Sequence, residues 1–159
     1  MAETENDGLQ YRPEIFNVDG ALRDVCVLDA TPENWQGMVE GLARVPWPAV
    51  FTWTLSDSTD SATPSAREVW SRLENDPEES VSLAVQVGGV WFTCYFFDID
   101  EIEFTFDPAD VVDAESFSVV REFVRWLGDS TGREVIVTME GNDHGSMPRL
   151  LHYSPRRPA

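Results

Sequence analysis

A β-hairpin signal in the middle of the chain constrains the fold more than any other part of the sequence. Two stretches of strand-forming residues, Val81 to Val87 and Val90 to Phe97, flank the dipeptide Gly88-Gly89. A two-glycine turn between strands is typical of a tight hairpin, because glycine readily adopts the positive φ that such turns need. The turn sets the register so that Val85 lies opposite Phe92. The sequence therefore predicts two adjacent antiparallel strands with one wholly apolar face.

The second face of this hairpin has a different composition. Trp91, Tyr95 and Phe97 lie on one strand, and the residues opposite them are small or polar, among them Ser82 and Ala84. Two interpretations remain open. We favour a helix that approaches the small residues and covers the aromatic side chains. Otherwise the aromatic side chains form an exposed patch of the kind that binds another protein.

Three helices are predicted from capping residues and from apolar side chains that recur every three or four residues. The first follows Thr31, and its apolar stripe is Trp35, Met38, Val39 and Leu42. The second begins at Thr63-Pro64, and the third spans about Ala114 to Gly128 with Asp113 as its cap. Trp35 is expected to anchor the first helix on the sheet.

The remaining strands are predicted from alternating or continuous apolar residues. Two of them, Ile15 to Val18 and Leu22 to Leu28, flank Asp19-Gly20 and are predicted to form a first hairpin. The other predicted strands are Ala49 to Leu55, Glu101 to Phe106, Glu134 to Met139 and an edge strand at Leu150 to Tyr153. Helices do not alternate one for one with strands, so a parallel doubly wound sheet is disfavoured. The predicted fold class is α+β, a mainly antiparallel sheet of about 5–7 strands with about three helices packed on it. Residues 1–10 are expected to form a flexible acidic arm, and residues 11–159 a single α+β domain.

The charge of the chain restricts its partners. There are 29 acidic residues against 11 basic ones, all of them arginine, and the formal net charge is −18. Between Arg72 and Arg121 no residue is basic. A field of this sign repels nucleic acid and anionic membranes, and it speeds encounter with a cationic protein. A GC-rich coding bias or a salt-adapted proteome would explain the same composition, and both explanations stay open.

Four acidic residues, Asp98, Asp100, Glu101 and Glu103, are predicted to form an exposed acidic ridge. Alternation places the apolar residues of the segment inward and Glu101 and Glu103 on the solvent side. Reversal of these two charges is therefore expected to leave folding almost unchanged. A divalent-metal site is the less favoured interpretation, because the run lacks the glycine-bearing spacing of an EF-hand loop. With Trp91 and Tyr95 beside it, the ridge is the predicted partner-binding site.

No residue pattern indicates catalysis. The chain has no Gly-x-Ser-x-Gly motif and no phosphate-binding glycine loop. His144 lies in a polar loop, where an exposed side chain is expected rather than a general base or a ligand. Cys26 and Cys94 fall in predicted strands with apolar neighbours, so we expect buried free thiols. The sequence thus favours a protein that is not an enzyme and has no metal or cofactor.

The compartment is predicted from two absences in the sequence. No apolar run approaches the ~18 residues of a membrane span. The first residues lack the basic and apolar regions of a signal peptide. We therefore expect a cytosolic protein; its oligomeric state cannot be derived.

Three segments carry a family resemblance: Leu22 to Thr31 leading into Trp35-Gln36, the Gly88-Gly89 hairpin, and Asp100 to Phe104 followed by Asp107-Pro108. Together they resemble small acidic proteins of actinobacteria that are similar to the immunity proteins of polymorphic-toxin and contact-dependent systems. The resemblance runs from about residue 11 to 155. It implies a single-domain cytosolic protein that neutralises a toxin domain by covering its active site. It transfers no site residue.

The sequence leads to one preferred function and two alternatives. The preferred one is a non-enzymatic acidic protein that binds a basic protein, in particular a toxin domain. A DNA-mimic inhibitor is the second, because carboxylates two residues apart on a strand lie roughly 6.6 Å apart, close to the roughly 7 Å covered by two nucleotides of a DNA strand. A hydrolase or metal enzyme that uses Asp98, Asp100, Glu101 or His144 is the third.

Overall fold

The computed structural model describes residues 8–55 and 63–155. Within those ranges the chain forms seven strands, β1 to β7, which comprise Arg23–Val27, Ala49–Trp53, Val81–Val87, Val90–Cys94, Ile102–Phe106, Val135–Met139 and Leu151–Tyr153. Three α-helices of the same ranges, α1 to α3, comprise Pro32–Gly41, Ala66–Asn75 and Ala114–Thr131. None of the helices described is both long and apolar enough to cross a bilayer.

The strands of the described ranges form one antiparallel sheet in the order β2-β3-β4-β5-β1-β6-β7. This arrangement confirms the predicted α+β class with a mainly antiparallel sheet and about three helices. Strand β5 lies between β4 and β1, so the acidic segment that leads into it lies near the middle of the sheet. Strand β7 lies at the edge, as predicted.

The central hairpin has the predicted register. Val85 pairs with Phe92 across β3 and β4, and the turn glycine Gly88 has a φ of 56°. Strand β4 ends at Cys94 rather than at Phe97. It ends there because Phe96 has a φ of 54°, outside the extended region, while its side chain is buried.

The helices pack against the apolar face of the sheet. Phe123 of α3 stacks on Phe92 of β4 with ring centroids 3.9 Å apart. Trp35 of α1 is fully buried, and its ring lies 5.1 Å from both Phe96 and Trp70. Trp35 therefore joins α1 to α2 and to the segment that follows β4, and its predicted role in stability stays a prediction.

Helix α3 begins at the predicted cap but ends one turn later than expected. The Asp113 carboxylate accepts a hydrogen bond from the Ser116 amide, which starts the helix. Gly128 does not stop the helix; it lets Tyr153 of β7 approach, since a Cβ at Gly128 would lie 2.6 Å from that ring. The helix ends at Gly132, whose φ of 69° is left-handed.

The caps of the other two helices follow the same chemistry. Thr31 accepts a hydrogen bond from the Asn34 amide, and the Asn34 side chain accepts one from the Thr31 amide. Helix α2 begins after Ser65, two residues later than the predicted start at Thr63-Pro64, and the Ser65 hydroxyl accepts a hydrogen bond from the Glu68 amide.

The predicted first hairpin is wrong. Residues Pro13–Phe16 form a 3-10 turn instead of a strand. The cause is Arg23, whose buried guanidinium donates hydrogen bonds to the carbonyl oxygens of Ile15, Asn17 and Ala21. Because these carbonyl oxygens accept hydrogen bonds from the guanidinium, the segment wraps around the arginine and does not pair with β1.

Two residues at the end of the predicted arm, residues 1–10, pack against the folded chain. Leu9 is buried in the core, and the Gly8 carbonyl accepts a hydrogen bond from the amide of His152 on β7. Residues 1–7 lie outside the described part of the chain.

Candidate functional site

The three α-helices of the described ranges pack on the apolar face of the sheet, and none of them covers the opposite face, which we call the second face. Residues paired across neighbouring strands share a face of a sheet. Cys26 of β1 pairs with Glu103 of β5, and Asp24 pairs with Thr105, so these four side chains lie together on the second face. The middle of this face therefore carries two acidic side chains and a thiol.

The loop after β6 covers the middle of the second face. The amide of Gly141 donates a hydrogen bond of 3.1 Å to Asp24 Oδ2, which holds the start of the loop on β1. Residues His144–Ser146 form a single 3-10 turn, and this turn directs the His144 side chain onto the sheet. His144 is 1% exposed. The prediction of an exposed side chain at this position is therefore wrong.

Carboxylates face both ring nitrogens of His144. Nδ1 lies 2.7 Å from Glu101 Oε2, and Nε2 lies 2.8 Å from Asp24 Oδ2 and 3.4 Å from Glu103 Oε1. We call these four residues the His144 cluster. A ring nitrogen donates to a carboxylate only when it carries a proton, so the geometry suits the doubly protonated imidazolium. Burial alone would lower the pKa of His144, but the hydrogen bond to Asp24 and the neighbouring negative charges outweigh burial and raise it.

The carboxylates of the cluster differ in their surroundings. Asp24 is buried and accepts further hydrogen bonds from the Thr105 hydroxyl and the Gly141 amide. Glu103 is half-buried, and the pKa of its carboxyl rises to about 7, chiefly through burial and then through the negative charge of Asp24. When the three carboxylates are ionised and His144 is an imidazolium, the negative charges of the cluster outnumber the positive charge by two. The cluster is therefore a buried site with an excess of negative charge.

Cys26 lies next to the His144 cluster. Ligand atoms of Cys26, Glu101, Glu103 and His144 all lie within 4.8 Å of one another. The thiol is fully buried, and burial, followed by the charge of Glu101, strongly raises its pKa. Cys94 is a second buried free thiol, but it pairs with Leu83 on the apolar face. Both thiols are buried and free, as predicted.

A cleft of about 680 Å³ opens above the cluster. Tyr95, Phe97 and Asp98 line it on one side, and Glu140 to Asn142 line it on the other. Its lining residues include five carboxylates and no basic side chain, the acidic ones being Asp24, Asp98, Glu101, Glu103 and Glu140. The cleft therefore attracts cations.

Three aromatic side chains are exposed, and two of them, Tyr95 and Phe97, line the cleft. Trp91 is 44% exposed, Tyr95 49% and Phe97 79%. The rings of Tyr95 and Phe97 stack with their centroids 5.6 Å apart. The favoured prediction that a helix covers them is wrong, because the helices pack on the opposite face. We call these three residues the aromatic patch.

The predicted acidic ridge is divided in the structure. Asp98 and Asp100 are exposed on the turn before β5, where the Asp98 carboxylate accepts the Asp100 amide at 2.9 Å. Glu101 and Glu103 are only half-buried neighbours of His144, with 23% and 22% of their side chains exposed. They do not lie on an open solvent face, because the loop that carries His144 covers this part of the sheet.

Sequence reasoning missed Asp24 entirely and set His144 aside. One signal could have found Asp24, since it and Arg23 are the two charged residues of the predicted strand Leu22 to Leu28, and alternation places Asp24 on the same face as Cys26. The contact between Asp24 and His144 spans 120 residues, so no local pattern indicates it.

No protein-family model, curated protein or solved structure matches the chain.

Proposed function

We propose that the protein is a non-enzymatic binding protein that recognises a basic protein through the aromatic patch and the acidic cleft. One observation carries this proposal: two exposed aromatic side chains, Tyr95 and Phe97, line a cleft that has five carboxylates and no base, and the exposed Trp91 lies on the same strand as the residues that lead to them. Aromatic side chains beside a charged rim are typical of the residues that dominate protein–protein binding energy.

The two features suit one kind of partner side chain. An arginine or lysine has an apolar stem and a cationic head. Its stem can pack on the exposed rings of Tyr95 and Phe97, where a cation also gains from the ring quadrupole. Its head can then reach Asp98 at the mouth of the cleft. A basic surface with protruding arginines therefore complements both the apolar rings and the negative charge of this face.

The long-range field favours the same partner. Residues 73–120 contain no base, and this span includes the aromatic patch, Asp98 and Asp100. Charges of one sign around a cleft steer oppositely charged proteins and raise the association rate. Glu101 and Glu103 contribute to this field from the cleft floor, and the exposed rim supplies the contacts.

The family resemblance suggests which basic protein this is. An immunity protein covers the active site of a toxin domain, and we propose this role in the cytosol for the present chain. The two buried cysteines are free thiols, as is usual in a reducing compartment. The DNA-mimic alternative is less well supported, because Glu101 and Glu103 face His144 and do not form an exposed row of phosphate-like charges.

Capture of the partner by variants of the binding face tests the proposal. The immobilised protein is exposed to a lysate of the organism that encodes it, as wild type and as Trp91→Ala, Asp98→Arg and Glu78→Arg. Glu78→Arg is the matched control, because it makes the same charge change at an exposed residue after α2. We expect a basic protein on the wild type and the control, and its loss from the other two.

The kinetics of the captured pair sharpen this test. Trp91→Ala should cost about 2 kcal/mol or more of binding free energy if the ring is a hot spot. Asp98→Arg should mainly slow association, and the effect should shrink at high salt. An acidic captured protein, or equal binding by all four proteins, would contradict the proposal.

A further inference from the structure

We propose that Cys26, Glu101, Glu103 and His144 form a binding site for a divalent zinc-class metal ion, with Asp24 as the residue that orients the histidine. This site is independent of the proposed binding function. The four side chains come from β1, the segment that enters β5, β5 itself and the loop after β6, so only the folded chain assembles them.

The spacing of the four ligand atoms is close to that of a tetrahedral site. Metal–ligand bonds of about 2.0–2.3 Å place tetrahedral ligand atoms roughly 3.3–3.8 Å apart. The four candidate atoms lie within 4.8 Å of one another. Rotation of the two glutamate side chains, which are half-buried and face the open cleft, can close this difference.

Asp24 prepares His144 for a metal. Its Oδ2 lies 2.8 Å from Nε2, and the Thr105 hydroxyl and the Gly141 amide hold the carboxylate in place. A carboxylate in this position keeps the proton on Nε2 and leaves Nδ1 as the metal ligand. Nδ1 points toward Glu101, one of the other three ligands.

The contact between Nδ1 and Glu101 requires a cation. Two acceptors 2.7 Å apart repel each other unless a proton lies between them, whereas a bound metal ion would hold the same two atoms roughly 3.3–3.8 Å apart. In the histidinium form a proton fills this role. Zinc would replace that proton and the proton of the Cys26 thiol, because metal-bound thiols are deprotonated. When Glu103 is already ionised, two protons leave as one divalent ion enters, so the net charge of the cluster and Cys26 does not change; when Glu103 is protonated, its proton leaves as well.

Cys26 is the observation that separates this group from an ordinary buried ion pair. The side chain is 0% exposed, and its thiol makes no hydrogen bond to any residue in the described part of the chain. An apolar residue at this position would serve packing equally well. Instead, a thiol faces two glutamates and a histidine in a cluster with excess negative charge.

The donor set also indicates the metal. Thiolate and imidazole are poor ligands for Mg²⁺ and Ca²⁺, which prefer oxygen. Sulfur, nitrogen and carboxylate oxygen together suit Zn²⁺ and the chemically similar Co²⁺. The cleft above the cluster gives the ion a path from solvent, since Glu101 and Glu103 line it.

Titration of the metal-free protein with Zn²⁺ and Co²⁺ tests the site. We expect one Zn²⁺ per chain by calorimetry and a rise in melting temperature. Co²⁺ should give a sulfur-to-cobalt charge-transfer band that Zn²⁺ removes. Cys26→Ala should abolish this band, and Asp24→Asn should weaken affinity by about 10–100-fold, the usual effect of losing an orienting carboxylate. Cys94→Ala is the matched control, and it should keep the band.

Several results would overturn the site, and none requires a variant to fold. No stoichiometric binding of Zn²⁺ or Co²⁺ by the wild type would show that a proton, and not a metal ion, joins His144 Nδ1 to Glu101. Binding of Co²⁺ without a charge-transfer band would remove Cys26 from the site. Tighter binding of Mg²⁺ or Ca²⁺ than of Zn²⁺ would remove the zinc class. Each result leaves partner capture by the aromatic patch unaffected, so the two proposals fail separately.

Discussion

Loss of the positive charge of His144 should strongly destabilise the fold. His144→Gln keeps a side chain of similar length but leaves Asp24 buried beside Glu101 and Glu103 without a cation. Removal of one partner from a buried ion pair typically costs about 3–5 kcal/mol. Solvent does not screen the ion pair between His144 and Asp24, because their side chains are only 0% and 3% exposed. The loss is a large part of the about 5–15 kcal/mol that stabilises a typical domain.

Urea unfolding with a chelator present measures this loss without any contribution from metal. We expect a lower midpoint at an unchanged m-value, and a melting temperature lower by about 6–20 °C. His152→Gln is the matched control, since the only other histidine is exposed on β7. It should change stability by no more than about 0.5 kcal/mol.

A double-mutant cycle checks the cause. Asp24→Asn combined with His144→Gln should cost less than the sum of the single variants, by about 0.5–3 kcal/mol, because each removes the same contact. A cost below about 1 kcal/mol for His144→Gln would refute the reasoning. It would mean that the loop carries His144 over the sheet without depending on the ion pair.

Two further predictions concern the core and the acid limb of stability. Trp35→Ala should cost about 3–5 kcal/mol in urea unfolding, because it leaves a cavity beside Phe96 and removes the indole hydrogen bond to Ile99; a cost under about 1 kcal/mol would show that the neighbours collapse into the space. Burial raises the pKa of Glu79, but hydrogen bonds from the amides of Leu55 and Ser80 and the charge of Arg72 outweigh burial, so the folded-state pKa is lowered. Stability from Glu79 is thus present above its unfolded-state pKa and is lost as the pH falls through the folded one. The difference in stability between wild type and Glu79→Gln should shrink over that pH range, and a constant difference would contradict this.

The parts of the fold that were predicted depend on contacts close in sequence. The Gly88-Gly89 turn determines its own register, and Thr31 and Asp113 cap their helices within three residues. The failed first hairpin has an equally good local signal at Asp19-Gly20. It fails because the buried guanidinium of Arg23 takes up the carbonyls that a strand would need, and nothing in the local pattern shows that this arginine is buried.

The site was only half predictable for a related reason. Alternation correctly separates Glu101 and Glu103 from the apolar face, but it cannot show what covers the other face. A loop some forty residues further along the chain covers it and supplies His144. Charge reversal of Glu101 and Glu103 therefore cannot serve as a neutral test of binding, since it would place cations against a buried histidine and should disturb folding. Asp98 and Asp100 keep the exposed position that was predicted for the whole ridge.

A metal ion in the cluster would lie within the same negative electrostatic field that attracts a basic partner to the rim of the cleft. With Glu103 ionised, exchange of the two protons on His144 and Cys26 for Zn²⁺ leaves the net charge below the cleft unchanged. Association at low salt depends on that net field, so zinc should leave the association rate of a basic partner unaltered. Stopped-flow association with the captured partner, measured with zinc and with a chelator, checks this. A slower rate with zinc would mean that the partner reaches past Asp98 and contacts Glu101 or Glu103 on the cleft floor, because these two carboxylates are the proposed ligands that line the cleft.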